Sequence, residues 1–164
     1  MRLRSLKATP QARHNGAMRL LSSLLLCVLL PLGAQTADEK DAVALVQQVF
    51  NGMAAHDGAM IRSAMLPDAR LYAVRENGTT SVTVGTDFAT QIAGIKGDLL
   101  ERFTAEPRVL IRGRMAQVWG EYEFLRDGKF THCGVDSASL FKTAEGWKIA
   151  ALTYTVETTG CKGH

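Results

Sequence analysis

The stretch Val118–Thr155, VWGEYEFLRDGKFTHCGVDSASLFKTAEGWKIAALTYT, decides the fold class. It holds two tight-turn signals, Asp127-Gly128 and Glu145-Gly146, set between long runs of β-branched and aromatic residues. That is the pattern of antiparallel strands joined by short hairpin loops. Worked outward, it predicts four strands: Arg108–Arg112, Met115–Arg126, Lys129–Lys142 and Trp147–Thr158, the first two joined at Gly113-Arg114. The last two are long, and long antiparallel strands curl strongly.

Upstream of this meander the hydrophobic period changes from two to about 3.6 residues. Ala42, Leu45, Val46, Val49, Phe50 and Met53 form one helical stripe, and Thr36-x-x-Glu39 supplies a capping box ahead of it. The helix is expected to end near His56, where Asp57-Gly58 gives a turn and a new N-cap. A short second helix follows, with Met60, Ile61, Ala64 and Met65 as its stripe, stopped before Pro67. Arg70–Glu76 and Thr79–Val84 flank Asn77-Gly78 and read as a hairpin. Thr86 is expected to cap a third helix with Phe88, Ile92 and Ile95 on one side. The fold class is therefore α+β: a cone-shaped, curved antiparallel sheet packed against about three N-terminal helices. Each helix stripe needs a sheet face to cover it, and a hollow under such a sheet is either plugged by side chains or kept as a pocket.

Charge separates the front of the chain from its body. The formal charge is +3, but five of the nineteen basic residues precede residue 20, whereas the sixteen acidic residues all lie at or after Asp38. That leaves fourteen basic against sixteen acidic residues from Asp38 onward, which removes net charge as an argument for nucleic-acid binding. The basic front runs into the apolar segment Leu20–Ala34, and small residues follow at Gly33, Ala34 and Ala37. This is the layout of a leader peptide, too short for a comfortable membrane span of about 20 residues. Residues 1–37 are read as leader, cut near Ala34 or Ala37, and 38–164 as one domain. Export to the periplasm or exterior is the expectation, with an uncleaved membrane anchor as the alternative and Met1 or Met18 as the start.

Removal of the leader takes Cys27 with it and leaves Cys133 and Cys161 as a pair, in a compartment that permits a disulfide. The turn at Glu145-Gly146 places residue 133 opposite about residue 158, three positions short of Cys161. A bond therefore requires Gly160 to fold the tail back; otherwise both thiols are free. The chain has no phosphate-cradling glycine loop, HExxH, GxSxG or dinucleotide fingerprint, and no CxxC pair. Neither metal nor cofactor is expected.

With Asp127-Gly128 as a two-residue loop, Glu123 falls opposite His132 and Trp119 opposite Asp136. Alternation then groups Gln117, Trp119, Glu121, His132, Asp136 and Ala138 on one face, against Val118, Tyr122, Phe124, Cys133 and Val135 on the other. His132 is the candidate proton carrier, because imidazole titrates near neutral pH. Asp136 is its candidate partner in one cavity, and Glu121 or Glu123 is placed to orient the ring. Tyr72 and Tyr154 offer phenols, and Trp119 offers a stacking surface. The expected pocket comprises Tyr72, Trp119, Glu121, Tyr122, His132, Asp136 and Tyr154.

The order of elements over Asp41–Cys161, together with the ending Lys142-Thr-Ala-Glu-Gly-Trp-Lys-Ile-Ala150, resembles the nuclear transport factor 2-like superfamily, which includes ketosteroid isomerase and the SnoaL-like cyclases. The segment His132-Cys-Gly-Val-Asp136 is similar to a bacterial lumazine-binding subgroup. The resemblance implies a cone with a small-molecule pocket and homodimers formed through the sheet. The superfamily's Asp–Tyr–Asp and Asp–Arg–Asp catalytic sets have no evident counterparts in this chain. Three function classes follow: an exported small-molecule-binding domain, a cofactor-free enzyme using acid–base chemistry on a small substrate, and a homodimeric accessory protein.

Overall fold

A computed structural model describes residues 35–163. Of the segment 1–37 read as a leader, residues 1–34 lie outside the described residues. Among those described, no helix is long and apolar enough to cross a membrane.

Helix α1 spans Ala37–Ala54 and opens on the expected capping box. The Thr36 hydroxyl accepts from the Glu39 amide, and the Glu39 carboxylate accepts from the Thr36 amide at 2.6 Å. Helix α2, Gly58–Ala64, is capped by the Asp57 carboxylate, which accepts from the Ala59 and Met60 amides. Helix α3, Gly85–Gly94, corrects the sequence reading. Its N-cap is Val84, which makes no side-chain cap, and Thr86 lies inside the first turn.

The strands are β1 (Met65–Arg75), β2 (Thr80–Val84), β3 (Leu99–Phe103), β4 (Arg108–Arg112), β5 (Met115–Arg126), β6 (Lys129–Thr143) and β7 (Gly146–Val156). They form one sheet in the order β2-β1-β7-β6-β5-β3, with β4 also pairing β5 along the same edge as β3. Every pairing is antiparallel except β1 with β7, where the front hairpin joins the rear meander in parallel. Strand β3 is absent from the sequence reading, and β1 starts five residues earlier than expected.

The stripes of all three helices cover one face of this sheet. Val46, Val49, Phe50 and Met53 of α1, Ile61 and Ala64 of α2, and Ala89 and Ile92 of α3 are buried against Leu71, Leu99, Val118, Leu140, Ile149 and Leu152. Phe50 meets Phe103 edge-on at a centroid distance of 5.1 Å. Asp38, at the start of α1, accepts from Lys142 Nζ at 2.5 Å and Trp147 Nε1 at 3.3 Å, which fastens the helix to the β6–β7 end. Trp147 is therefore a structural residue.

The far end of the sheet is closed by the C-terminal tail. The β6–β7 turn closes between Thr143 and Gly146, two residues short of the expected register, and the irregularity between Ser139 and Leu140 restores one, so Cys133 pairs with Glu157 rather than residue 158. Gly160, at φ 72°, then turns the chain back, a conformation glycine adopts without a steric penalty. A disulfide joins Cys133 to Cys161, whose Cα atoms are 5.9 Å apart. Glu76 holds the same tail by accepting from the amides and hydroxyls of Thr158 and Thr159, bonds that pull its carboxyl down to about 2.

Candidate functional site

The β5–β6 hairpin sets which side chains share the interior. Arg126 faces Lys129 as expected, but the next pairs are Leu125 with Phe130 and Phe124 with His132. Thr131 is an extra residue, a β-bulge. From there on the ladder is one residue away from the simple count: Gly120 lies opposite Asp136, and Trp119 opposite Ser137. This overturns the expected face. His132 and Asp136 share the helix-covered face with Val118, Tyr122 and Phe124, while Trp119 and Glu121 point to the other side. A one-residue slip has this effect because side chains alternate by two.

The interior face holds a cavity of about 170 Å³. Leu71, Leu152, Phe124 and the helical residues Val49, Met53, Phe88 and Ile92 make its apolar wall. Glu101, Tyr122, His132, Asp136 and Tyr154 bring the polar groups. At about 30 Å³ per water, it has room for roughly five to six waters.

Two carboxyl groups define its chemistry. Asp136 is buried at 2% exposure, and its Oδ2 finds no donor among the described residues. The group that it meets is the carboxyl of Glu101, and two carboxylates can only bond by sharing a proton. Burial pushes both acids upward; for Glu101 the neighbouring Asp136 charge adds to that shift. The pair therefore retains a proton into the neutral range.

His132 stacks on Phe124 at 5.0 Å and meets the Tyr122 ring edge-on at 5.8 Å. Its Nδ1 lies 2.9 Å from Thr131 Oγ1. That hydroxyl already donates to the Phe124 carbonyl at 3.0 Å, so the ring nitrogen must be the donor to Oγ1. The unprotonated lone pair is then on Nε2, and burial lowers the ring's basicity. The bulge residue, and not Glu121 or Glu123, orients the imidazole. Glu123 is bound by Arg102 at 2.5 Å, and Glu121 pairs with Lys162 at 2.7 Å on the tail.

The tyrosines differ in what they have left to give. Tyr122 spends its hydroxyl on the Thr155 carbonyl at 2.7 Å, and burial raises its phenol strongly. Tyr154 pairs with Asp136 across β6 and β7 and also lines the cavity, and burial raises its phenol too.

Tyr72 and Trp119 are elsewhere. Both lie on the outer face of the sheet, 47% and 40% exposed, in an open concavity of about 800 Å³ shared with Val74 and Val82. The Arg108 guanidinium sits 5.9 Å from the centre of the Trp119 ring. The seven expected pocket residues thus divide into four inside (Tyr122, His132, Asp136, Tyr154) and three outside (Tyr72, Trp119, Glu121). Glu101, which sequence reasoning missed, completes the inner set. Its signal was the alternation Leu99, Glu101, Phe103 in a five-residue run.

No family model matches the sequence, and no curated protein matches it. Solved structures do. A nuclear transport factor 2-like protein from Salmonella enterica superposes with a TM-score of 0.62 at 14% identity, over 80% of this chain and 99% of the other. One from Novosphingobium aromaticivorans, described as having a cystatin-like fold, gives 0.60 at 13% identity, over 76% and 84%. A Streptomyces avermitilis protein of that family, described as a candidate dehydratase, gives 0.57 at 15% identity, over 71% and 94%. This chain has the nuclear transport factor 2-like cone fold. The similarity to the lumazine-binding subgroup rests on the sequence alone.

Proposed function

We propose that this chain is an exported small-molecule-binding domain whose site is the interior cavity between the helices and β3, β5, β6 and β7. The observation that carries this reading is the Glu101–Asp136 pair in a largely apolar cavity. A buried Asp136 and a half-buried Glu101, with no lysine or arginine among the described residues lining the same space, cost stability, and a ligand-binding role accounts for their presence. The test is a thermal-shift screen of small ring compounds on the wild type and on Leu152→Trp, which fills the cavity. Stabilisation of the wild type that disappears in the filled variant supports the reading. Equal stabilisation of both places the ligand elsewhere, and no stabilisation by any compound contradicts it.

A second reading, acid–base catalysis without a cofactor, is favoured by one specific arrangement. A carboxyl pair that holds a proton near neutrality and the Nε2 lone pair of His132 line the same cavity, the elements of a proton donor and acceptor. Asp136 and His132 are its catalytic candidates, with Glu101 in the place first given to Glu121.

Export is proposed from the leader pattern, and the capping box supports the first of its two proposed cutting points. Cleavage after Ala34 keeps Thr36 as the cap of α1, whereas cleavage after Ala37 removes it. The expected mature N-terminus is therefore Gln35. We also propose a homodimer formed through the outer sheet face, where Tyr72, Val74, Val82 and Trp119 are exposed together.

A further inference from the structure

Resting on the reading of the interior cavity as a ligand site, we infer that its ligand is a small cationic amine: one ring or a short chain bearing an ammonium group that seats against Glu101 and Asp136. Three observations select this class. First, the cavity's size limits the ligand. An apolar cavity of about 150 Å³ is known to take benzene, so about 170 Å³ admits one ring with a short arm and no fused multi-ring body. Second, the lining includes two carboxyl groups and no lysine or arginine, which disfavours carboxylate, phosphate and sulfate ligands. Third, among the described residues the pair lacks a countercharge. The titratable groups that face it are Tyr122 from β5, His132 from β6 and Tyr154 from β7, each neutral near pH 7, and the helices present only apolar side chains. A buried negative charge needs a partner, and with none among the described residues a ligand is the group left to supply it.

A sign follows for the pH dependence. In acid both carboxyls are protonated and the pair is neutral, so it attracts an ammonium group weakly. As the pH rises toward 8 the pair loses protons while the amine keeps its own, so binding tightens. Protonation of His132 in acid acts in the same direction by adding a like charge. Raised carboxyl pKa values support this course and do not define it.

The experiment uses benzylamine, benzyl alcohol and benzoate as probes of matched size, titrated into the mature domain and followed by amide chemical shifts and calorimetry at pH 5.5 and 7.5. The expected result is benzylamine binding at least tenfold tighter than benzyl alcohol at pH 7.5, weakening severalfold at pH 5.5, with no benzoate binding. In Glu101→Gln, an uncharged near-isostere, that preference should fall to within threefold. Equal or tighter binding of benzyl alcohol or benzoate overturns the amine assignment while leaving the cavity reading in place, as does an amine preference unchanged by Glu101→Gln or by pH. No shift at cavity amides with any probe contradicts both. If Glu101→Gln fails to fold, the wild-type pH comparison and the three-probe ranking decide the matter.

Discussion

Asp136 lies on the covered face because Thr131 adds a residue to β6, and Glu101 reaches it from β3. Each acid is held above the ordinary carboxylate range, and that has a defined consequence for stability. The unfolded chain releases these protons near pH 4, while the folded chain keeps one until about pH 7. The folded state therefore binds more protons between those values, and the contribution of the pair is lost as pH rises through that window. His132 works in the opposite sense: its lowered pKa costs stability as pH falls below about 6.5. Urea unfolding from pH 5 to 8 should separate the two. Glu101→Gln should flatten the alkaline decline, leaving the variant roughly 1–3 kcal/mol less pH-sensitive than the wild type. An unchanged slope would show that the acids are not coupled. His132, Asp136 and Tyr154 were legible in the sequence by residue type. Glu101 was not, because a glutamate inside a short strand breaks the apolar alternation by which such strands are recognised. Trp119 and Glu121 were misplaced by the one bulge that the loop count did not reveal.

At the scale of elements, the helices and the rear hairpins were readable because their signals are local. The Thr36–Glu39 box, the Asp57 cap, Asn77-Gly78 and Asp127-Gly128 all act within a few residues. Strand β3 and the parallel β1–β7 pairing were hidden because both depend on contacts distant in sequence. Three tests belong here. Thr36→Ala should lower stability by about 1 kcal/mol, read by denaturant midpoint. Gly134→Ala should cost more, about 2 kcal/mol or above, because its Cβ would drive into the Thr155 backbone that the Tyr122 hydroxyl also engages. Cys161→Ser should cost about 3 kcal/mol by releasing the loop closed at Cys133, with reduction of the wild type giving a similar loss of Tm. Near-neutral results at Gly134 would mean that the β6–β7 approach is looser than described.

Among the hollows of the described residues, two lie on opposite sides of one sheet, and they suit different partners. The inner one is small, largely apolar and acidic; the outer one is wide, open and rimmed by exposed tyrosine, valine and tryptophan. Sedimentation should find a dimer that Trp119→Glu or Val82→Glu converts to monomer with little change in Tm; a wild-type monomer would leave that face without its proposed role. The decisive observation is where small ring compounds perturb the backbone amides of the mature domain. Shifts gathered at Glu101, Tyr122, His132, Asp136 and Tyr154 are expected. Shifts confined to Tyr72, Val82 and Trp119, or none at saturating compound, would contradict an interior ligand site.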